Sequence, residues 1–241
     1  MKEQAAIVLQ ARMGSTRLPG KVLAALTGGT VLSHCVERLR ARSGLPIVLA
    51  TTRRAEDDLV AETGERLGVA VVRGDDEDVL GRFVQTIESH ALTHVVRATA
   101  DNPCVDMDAP LRTLSLLRRT GVDHVVEHGL PYGAAVEAIA APALIRASEL
   151  VHEPYDREHV TPFVRRDGRF RALVALAPGD VRRSGLRVTV DTEDDLAFVR
   201  ALLARAEQAH AAPVPLRDVI AMATQWSDLL HDVRDAMRGT P

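Results

Sequence analysis

The sequence predicts an α/β protein with a Rossmann-like, three-layer architecture and a mostly parallel central sheet. Short apolar runs alternate with longer segments of helical periodicity from the first residues onward. A glycine-containing loop also follows the first apolar run directly. This alternation is typical of parallel strands joined by helices that cover the sheet. With 241 residues, we expect a single domain that buries a substantial core.

The first half of the chain repeats a strand and helix unit. Thr30 precedes a helical apolar face that includes Val31, Cys35 and Leu39, so it is predicted to cap the first helix. Further helices are expected at 56–67 and 78–90. Another is expected to be capped by Asp108 and to run to residue 120. Strands are expected at 5–10, 47–50, 69–72 and 95–98.

The second half departs from a strictly parallel pattern. Thr192 and Asp195 resemble a capping box that opens a long helix. Helices are expected at 142–152, 158–166 and 193–208, with a final helical region after a linker at 211–215. Extended segments are expected at 122–126, 136–140, 171–176 and 186–190.

Composition excludes several classes of protein. A net charge of −3 and only 3% aromatic residues argue against a nucleic-acid partner. Cys35 and Cys104 have no CxxC spacing, so we expect buried thiols in a reducing compartment. The sequence has no apolar run near the roughly 20 residues that span a bilayer. We therefore expect a cytoplasmic protein with no membrane partner.

The segment from Gln10 to Lys21, QARMGSTRLPGK, has the composition of a phosphate-binding loop. Its two glycines allow close backbone approach, and Arg12, Arg17 and Lys21 can neutralise a triphosphate. The pattern is neither a P-loop, because Val22 follows Lys21, nor GxGxxG. A solvated basic loop is the alternative interpretation.

Further motifs follow this loop in order. They are ATT at 50–52 with EDD at 56–58, RG at 73–74 with DVL at 78–80, RATADNP at 97–103, REHVTP at 157–162 and VDTEDD at 190–195. Over about residues 5–205 the chain resembles the cytidylyltransferases that include CMP-sugar-acid synthetases, in the branch typified by spore-coat polysaccharide biosynthesis protein F. This resemblance implies a GT-A-like nucleotidyltransferase that transfers CMP from CTP to a small acidic acceptor and releases pyrophosphate.

The resemblance also implies roles for individual residues. Arg12 and Lys21 are the expected catalytic residues, since they should hold the triphosphate. Thr51 and Arg73 end successive predicted strands, where parallel sheets place their ligands. The remaining expected nucleotide-binding residues are Ala11, Gly14, Ser15, Arg17, Gly74 and Asn102.

Asp101 and Asp191 are the predicted metal ligands. Each follows an apolar strand, and Mg²⁺ needs only a few carboxylate oxygens when phosphates and water complete its shell. Both residues would also suit turns or helix caps, which is the alternative.

The acceptor is expected to meet Tyr132, Glu137, Arg157 and His159. Relatives tend to read PDGLDVEV where this chain reads PYGAAVEA at 131–138, so two acidic positions are lost. Carboxylates bind sugar hydroxyls well. The loss of two of them suggests an acceptor with fewer hydroxyls, and the resemblance extends to relatives that transfer CMP to a small phosphonate. Sugar acids and phosphonates therefore both remain candidate acceptors, and simple loop variation is the alternative explanation.

The family resemblance suggests a homodimer. Within the single domain of residues 1–241, we expect a nucleotide-binding part at 1–120, an acceptor and dimerisation lobe at 121–180, and a closing strand with C-terminal helices at 181–241. Two other functions stay open: a nucleotide-binding regulatory module without turnover, and a transferase that uses another nucleoside triphosphate.

Overall fold

A computed structural model describes residues 4–226 of the chain. Its strands are β1 Ala5–Gln10, β2 Ala25–Leu26, β3 Gly29–Thr30, β4 Ile47–Thr52, β5 Ala70–Gly74, β6 His94–Thr99, β7 His124–His128, β8 Glu137–Ala140 and β9 Ala172–Leu176. Its α-helices are α1 Val31–Ser43, α2 Asp58–Arg66, α3 Val79–Ser89, α4 Ala109–Thr120, α5 Ala141–Leu150, α6 Pro154–His159, α7 Pro162–Arg166 and α8 Glu193–Ala209. Residues 216–226 are also helical.

The central sheet has the strand order β5-β4-β1-β6-β8-β7-β9. Strand β1 pairs in parallel with β4 and β6, and β4 pairs in parallel with β5. Strand β8 is antiparallel to both of its neighbours, while β7 and β9 are parallel. The predicted α/β class with a mostly parallel sheet is therefore confirmed.

Helices cover both faces of the sheet. Leu39 of α1 and Leu114 of α4 pack in one aliphatic cluster, and Phe83 of α3 and Leu144 of α5 pack in another. A third cluster joins α8 to the segments on either side of it. The expectation for the cysteines is also met, because Cys35 and Cys104 are buried free thiols.

Local capping signals fix several helix ends as predicted. The Thr30 hydroxyl accepts a hydrogen bond from the Ser33 amide, and Thr192 forms the same capping box with Asp195. Asp108 lies at the N-cap position of α4, but its carboxylate makes no cap bond and pairs with Arg42 instead. The prediction was right about where α4 starts and wrong about what Asp108 does there.

The single helix predicted at 158–166 is wrong. The chain forms α6 and α7 instead, with Val160 between them at a φ of 70°. Thr161 donates to the His159 carbonyl at 2.8 Å, which closes a tight γ-turn. Pro162 explains the break, since a proline inside a helix lacks the amide hydrogen and its ring clashes with the carbonyl four residues earlier.

The strand predicted at 186–190 is also wrong. This segment pairs with a loop and forms one isolated bridge, between Tyr132 and Arg187. Tyr132 donates to the Leu186 carbonyl and Val188 donates to the Tyr132 carbonyl, each at 2.8 Å. The final helical region begins as expected, but residues 227–241 lie outside the described part. Within residues 4–226, the helices are all too short or too polar to cross a bilayer.

Candidate active site

An open cleft of about 790 Å³ lies at the carboxyl ends of β1 and β6. It is the place where a parallel sheet presents loops to a ligand. Most of the residues singled out from the sequence line it: Ala11, Arg12, Gly14, Ser15, Arg17, Lys21, Asp101, Asn102, Tyr132, Glu137, His159 and Asp191.

The glycine-containing loop is anchored at its start by Asp57. The Met13 amide donates to Asp57 Oδ1 at 2.6 Å, and the Thr52 hydroxyl donates to the other carboxylate oxygen. The loop then closes on itself, since the Gly20 amide donates to the Met13 carbonyl at 3.0 Å. Gly20 has a φ of 73°, a conformation that favours glycine. This turn delivers Lys21 into the cleft.

Lys21 joins the two predicted metal ligands. Its ammonium donates to Asp101 Oδ2 at 2.8 Å and to Asp191 Oδ1 at 2.7 Å. Burial acts to lower the pKa of Lys21, but the two carboxylates outweigh it and raise that pKa above its ordinary value. The two carboxylates therefore meet at a single ammonium, and their role as metal ligands stays a prediction.

Asp191 is surrounded by cations. Arg17 reaches its Oδ1 at 3.0 Å, and Arg187 donates to its Oδ2 at 2.6 Å. Burial raises the pKa of this carboxyl, while Lys21, Arg17 and Arg187 together lower it below the ordinary value. The carboxylate is therefore held ionised, as a ligand for a hard cation must be.

Arg12 lies at the opposite wall of the cleft. It donates to Glu158 Oε1 at 2.9 Å and to the Asp76 carbonyl at 3.3 Å. Glu158 belongs to α6, so this ion pair ties the phosphate-binding loop to the short helix that carries His159. The His159 ring packs against the Tyr155 ring in a tilted arrangement, with centroids 4.4 Å apart.

Glu137 lies on a buried strand at the floor of the cleft. Arg97 approaches its Oε1 at 3.4 Å, and His124 Nε2 lies 3.0 Å from its Oε2. Burial raises the pKa of Glu137, but Arg97 and His124 outweigh that effect and lower it to about 2. Such a carboxylate is a hydrogen-bond acceptor and a weak base.

Four predicted residues do not line the cleft. Thr51 is fully buried in β4, and Arg73 donates to the Thr52 and Arg54 carbonyls. Gly74 lies beneath Arg82, where a Cβ would come 2.7 Å from Arg82 Cγ. Arg157 makes a two-pronged ion pair with Asp78, the N-cap residue of α3. Arg73 and Arg157 thus brace the segments behind the cleft.

Sequence reasoning missed several residues of the site. Arg82 and Arg97 line the cleft, and each has a buried Nε without a hydrogen-bond partner among the described residues. Arg187 holds Asp191, and Asp57 holds the loop. The position of Arg82 among the apolar residues of an amphipathic helix was a signal that the sequence offered. The contacts of Arg97, Arg187 and Asp57 depend on how distant segments pack together.

The fold and cleft define an α/β nucleotidyltransferase. A sequence model described as "Cytidylyltransferase" matches residues 5–213. The chain belongs to the cytidylyltransferase family, and it is a nucleotidyltransferase.

Individual relatives agree with this assignment. The spore coat polysaccharide biosynthesis protein SpsF of Bacillus subtilis is 34% identical over 206 residues, covering 83% of this chain and 86% of SpsF. A cytidylyltransferase structure from Leptospira borgpetersenii superposes with a TM-score of 0.85 at 26% identity, covering 94% of this chain and 96% of that one. A third similar structure is the CTP complex of CMP:2-keto-3-deoxy-manno-octonic acid synthetase, with a TM-score of 0.66 at 20% identity. The match covers 84% of this chain and 99% of the synthetase, and it supports the fold.

Proposed function

We propose that this protein transfers CMP from CTP to a small acidic acceptor, a sugar acid or a phosphonate, and releases pyrophosphate. Transfer of CMP from CTP is the reaction of the cytidylyltransferase family. The observation that carries the proposal is the contact of one cation, Lys21 Nζ, with both Asp101 and Asp191 at the mouth of the phosphate-binding loop.

The same two carboxylates fit Mg²⁺. One oxygen of each lies within 2.8 Å of a single ammonium, so the pair already converges on one positive centre. The described residues contain no group of three or more ligating side chains, which suits a metal that takes its other ligands from phosphates and water. Mg²⁺ would supply Lewis acidity and charge neutralisation at the phosphates. In this proposal Asp101 and Asp191 hold the metal.

The cations of the cleft have separate tasks in the proposed reaction. Lys21 and Arg12 stabilise the charge that develops on the departing pyrophosphate, because preorganised donors act most strongly in a partly desolvated site. Arg17 lies with Lys21 on the Asp191 side, while Arg12 occupies the other wall. The triphosphate would lie between them, and positioning supplies most of the catalysis.

The floor of the cleft supports an acceptor that is itself anionic. A pKa of about 2 makes Glu137 a poor general base at neutral pH. An acceptor oxygen that is already anionic, such as that of a carboxylate or phosphonate, attacks the α-phosphorus without a base. Tyr132, which is 61% exposed at the rim, stands where the family that the sequence resembles tends to carry an acidic residue, and this supports an acceptor with fewer hydroxyls.

Nucleotide binding and turnover test the proposal separately. Thermal unfolding with Mg²⁺ and each of CTP, UTP, ATP and GTP should show the largest stabilisation with CTP. Equal stabilisation by UTP would favour a different nucleotidyltransferase. Pyrophosphate release should then require both CTP and an acidic acceptor, and CTP binding without release across a broad acceptor panel would favour the regulatory module.

A further inference from the structure

The loop at the acceptor end of the cleft is joined to the segment that carries Asp191. Besides the two backbone hydrogen bonds of Tyr132, the next residue, Gly133, packs directly on Thr189. A Cβ on Gly133 would come 2.6 Å from the Thr189 amide nitrogen. Backbone contacts this close make the two segments one structural unit.

Arg187 joins the side chains of this unit. Its guanidinium carbon lies 4.8 Å from the centroid of the Tyr132 ring, within the range of a cation–π contact. The same guanidinium donates to Asp191 Oδ2 at 2.6 Å and, through Nε, to Asp195 Oδ1 at 2.9 Å. One planar group therefore contacts both the acceptor-side aromatic ring and the proposed metal ligand.

The contact decides which oxygen of Asp191 faces the cleft. Arg187 occupies Oδ2, so Oδ1 is the oxygen that meets Lys21 at 2.7 Å and Arg17 at 3.0 Å. Without Arg187, no donor at Oδ2 from the described residues would oppose rotation of the Asp191 carboxylate about its Cβ–Cγ bond. A carboxylate with free rotation is a weaker metal ligand than one held by a fixed donor.

We propose that Tyr132 and Arg187 are a positioning pair that holds the Asp191 carboxylate in its metal-binding orientation. The Tyr132 ring restrains the guanidinium, and the guanidinium restrains the carboxylate. The acceptor end of the cleft is thereby coupled to the metal end through a single side-chain stack. This inference rests on the proposed role of Asp191 as a Mg²⁺ ligand.

The test measures metal affinity without turnover. Mn²⁺ binding to the full chain with α,β-methylene CTP is followed by electron paramagnetic resonance, with no acceptor present. Tyr132→Phe keeps the ring and should bind Mn²⁺ within about twofold of the wild type. Tyr132→Ala should weaken binding about 3- to 10-fold, the range expected from loss of a cation–π contact. Arg187→Lys should weaken it by about tenfold or more, since an ammonium lacks the planar fork.

Arg169→Lys is the matched control. Arg169 stacks over the Phe163 ring at 5.5 Å and makes a two-pronged pair with Asp167, and none of the three lines the cleft. The Arg169→Lys variant should be less stable than the wild type and should bind Mn²⁺ with the same affinity. Melting temperatures in the absence of metal separate folding effects from the effect on metal binding.

Three different results would overturn the inference. If Asp191→Asn weakens Mn²⁺ binding while Tyr132→Ala and Arg187→Lys bind as the wild type does, the positioning pair is wrong and the metal site stands. If Asp191→Asn also binds normally, the metal role in the proposed function fails together with the pair. Loss of binding in Tyr132→Phe equal to that in Tyr132→Ala would assign the effect to the hydroxyl and not to the ring.

Discussion

Lys21 Nζ lies 2.7 Å from Asp191 Oδ1, although 170 positions separate the two residues in the chain. The contact places the end of the phosphate-binding loop against the start of the last long helix. The two motifs that carry these residues, far apart in the sequence, are therefore joined directly in the folded protein.

Loss of the loop cations should abolish activity and leave the fold intact. Lys21→Ala and Arg12→Ala each remove a charge from the cleft, and each should cost on the order of 2–4 kcal/mol of transition-state stabilisation. Steady-state pyrophosphate release measures the effect. Arg200→Ala is the control, because this side chain is exposed and, among residues 4–226, donates only to the Ala25 carbonyl. Turnover close to that of the wild type in both cleft variants would reduce the loop to a solvated basic segment.

Asp101→Asn and Asp191→Asn should raise the magnesium concentration needed for half-maximal rate. Asn keeps the shape of Asp and removes the charge that a hard cation requires. Magnesium titrations at saturating CTP check this, with Asp108→Asn as the control. Asp108 pairs with Arg42 and does not line the cleft, so its variant should need the wild-type magnesium concentration. The double variant should be little worse than either single variant, because residues that act as a unit are not additive.

Glu137 should contribute to the loss of stability in acid. Its folded pKa of about 2 lies below the ordinary value of 4.5. The stabilisation is therefore fully present above pH 4.5 and is lost as the pH falls toward about 2. Urea unfolding between these limits should show a smaller pH dependence in Glu137→Gln than in the wild type. The exposed Glu62→Gln should follow the wild type, and equal slopes in all three proteins would contradict the predicted contribution.

Gly133→Ala should destabilise the protein more than Gly28→Ala. Both glycines have positive φ, at 96° and 72°, so each alanine carries the strain of the left-handed region, about 1 kcal/mol. Only Gly133 meets a backbone, with the Thr189 nitrogen 2.6 Å from the added Cβ, whereas nothing lies within 4 Å at Gly28. Denaturant unfolding of the two variants gives the difference. A smaller loss of stability for Gly133→Ala than for Gly28→Ala would be inconsistent with the packed loop.

Strands and helix ends that depend on a few neighbouring residues could be predicted from the sequence. The first strand at Ala5–Gln10, the helix cap at Thr30 and the capping box at Thr192 are where the sequence placed them. Pro162 is a local signal against the continuous helix predicted at 158–166, because a proline within a helix lacks the amide hydrogen. The segment at 186–190 has the alternation of a strand, but its partner is a loop, and no pattern within the segment specifies that partner.

The candidate site likewise combines residues that the sequence could place with contacts that it could not. Asp101 and the loop cations could be placed in one cleft, because β1 and β6 are adjacent parallel strands that end at one edge of the sheet. Asp191 also lines the cleft, but it follows a segment that is not a strand of the sheet, so the reason predicted for its position was wrong. The buried orientation of Arg82, the anchoring of Met13 by Asp57 and the stack of Arg187 on Tyr132 each join residues from distant elements. Such contacts follow from packing geometry, which cannot be deduced from residue types and spacing.

The homodimer and the division of the chain into three functional parts stay predictions. Sedimentation velocity would test whether the protein is a dimer.

The most direct test of the central claim is mass spectrometry of the reaction product. The purified protein is incubated with Mg²⁺, an equimolar mixture of CTP, UTP, ATP and GTP, and a mixture of sugar acids and phosphonates. The account predicts a product whose mass equals that of one acidic acceptor joined to CMP, formed together with pyrophosphate and absent with Lys21→Ala. A product that carries UMP, AMP or GMP, or the absence of any nucleotide-linked product from a protein that binds CTP, would contradict it.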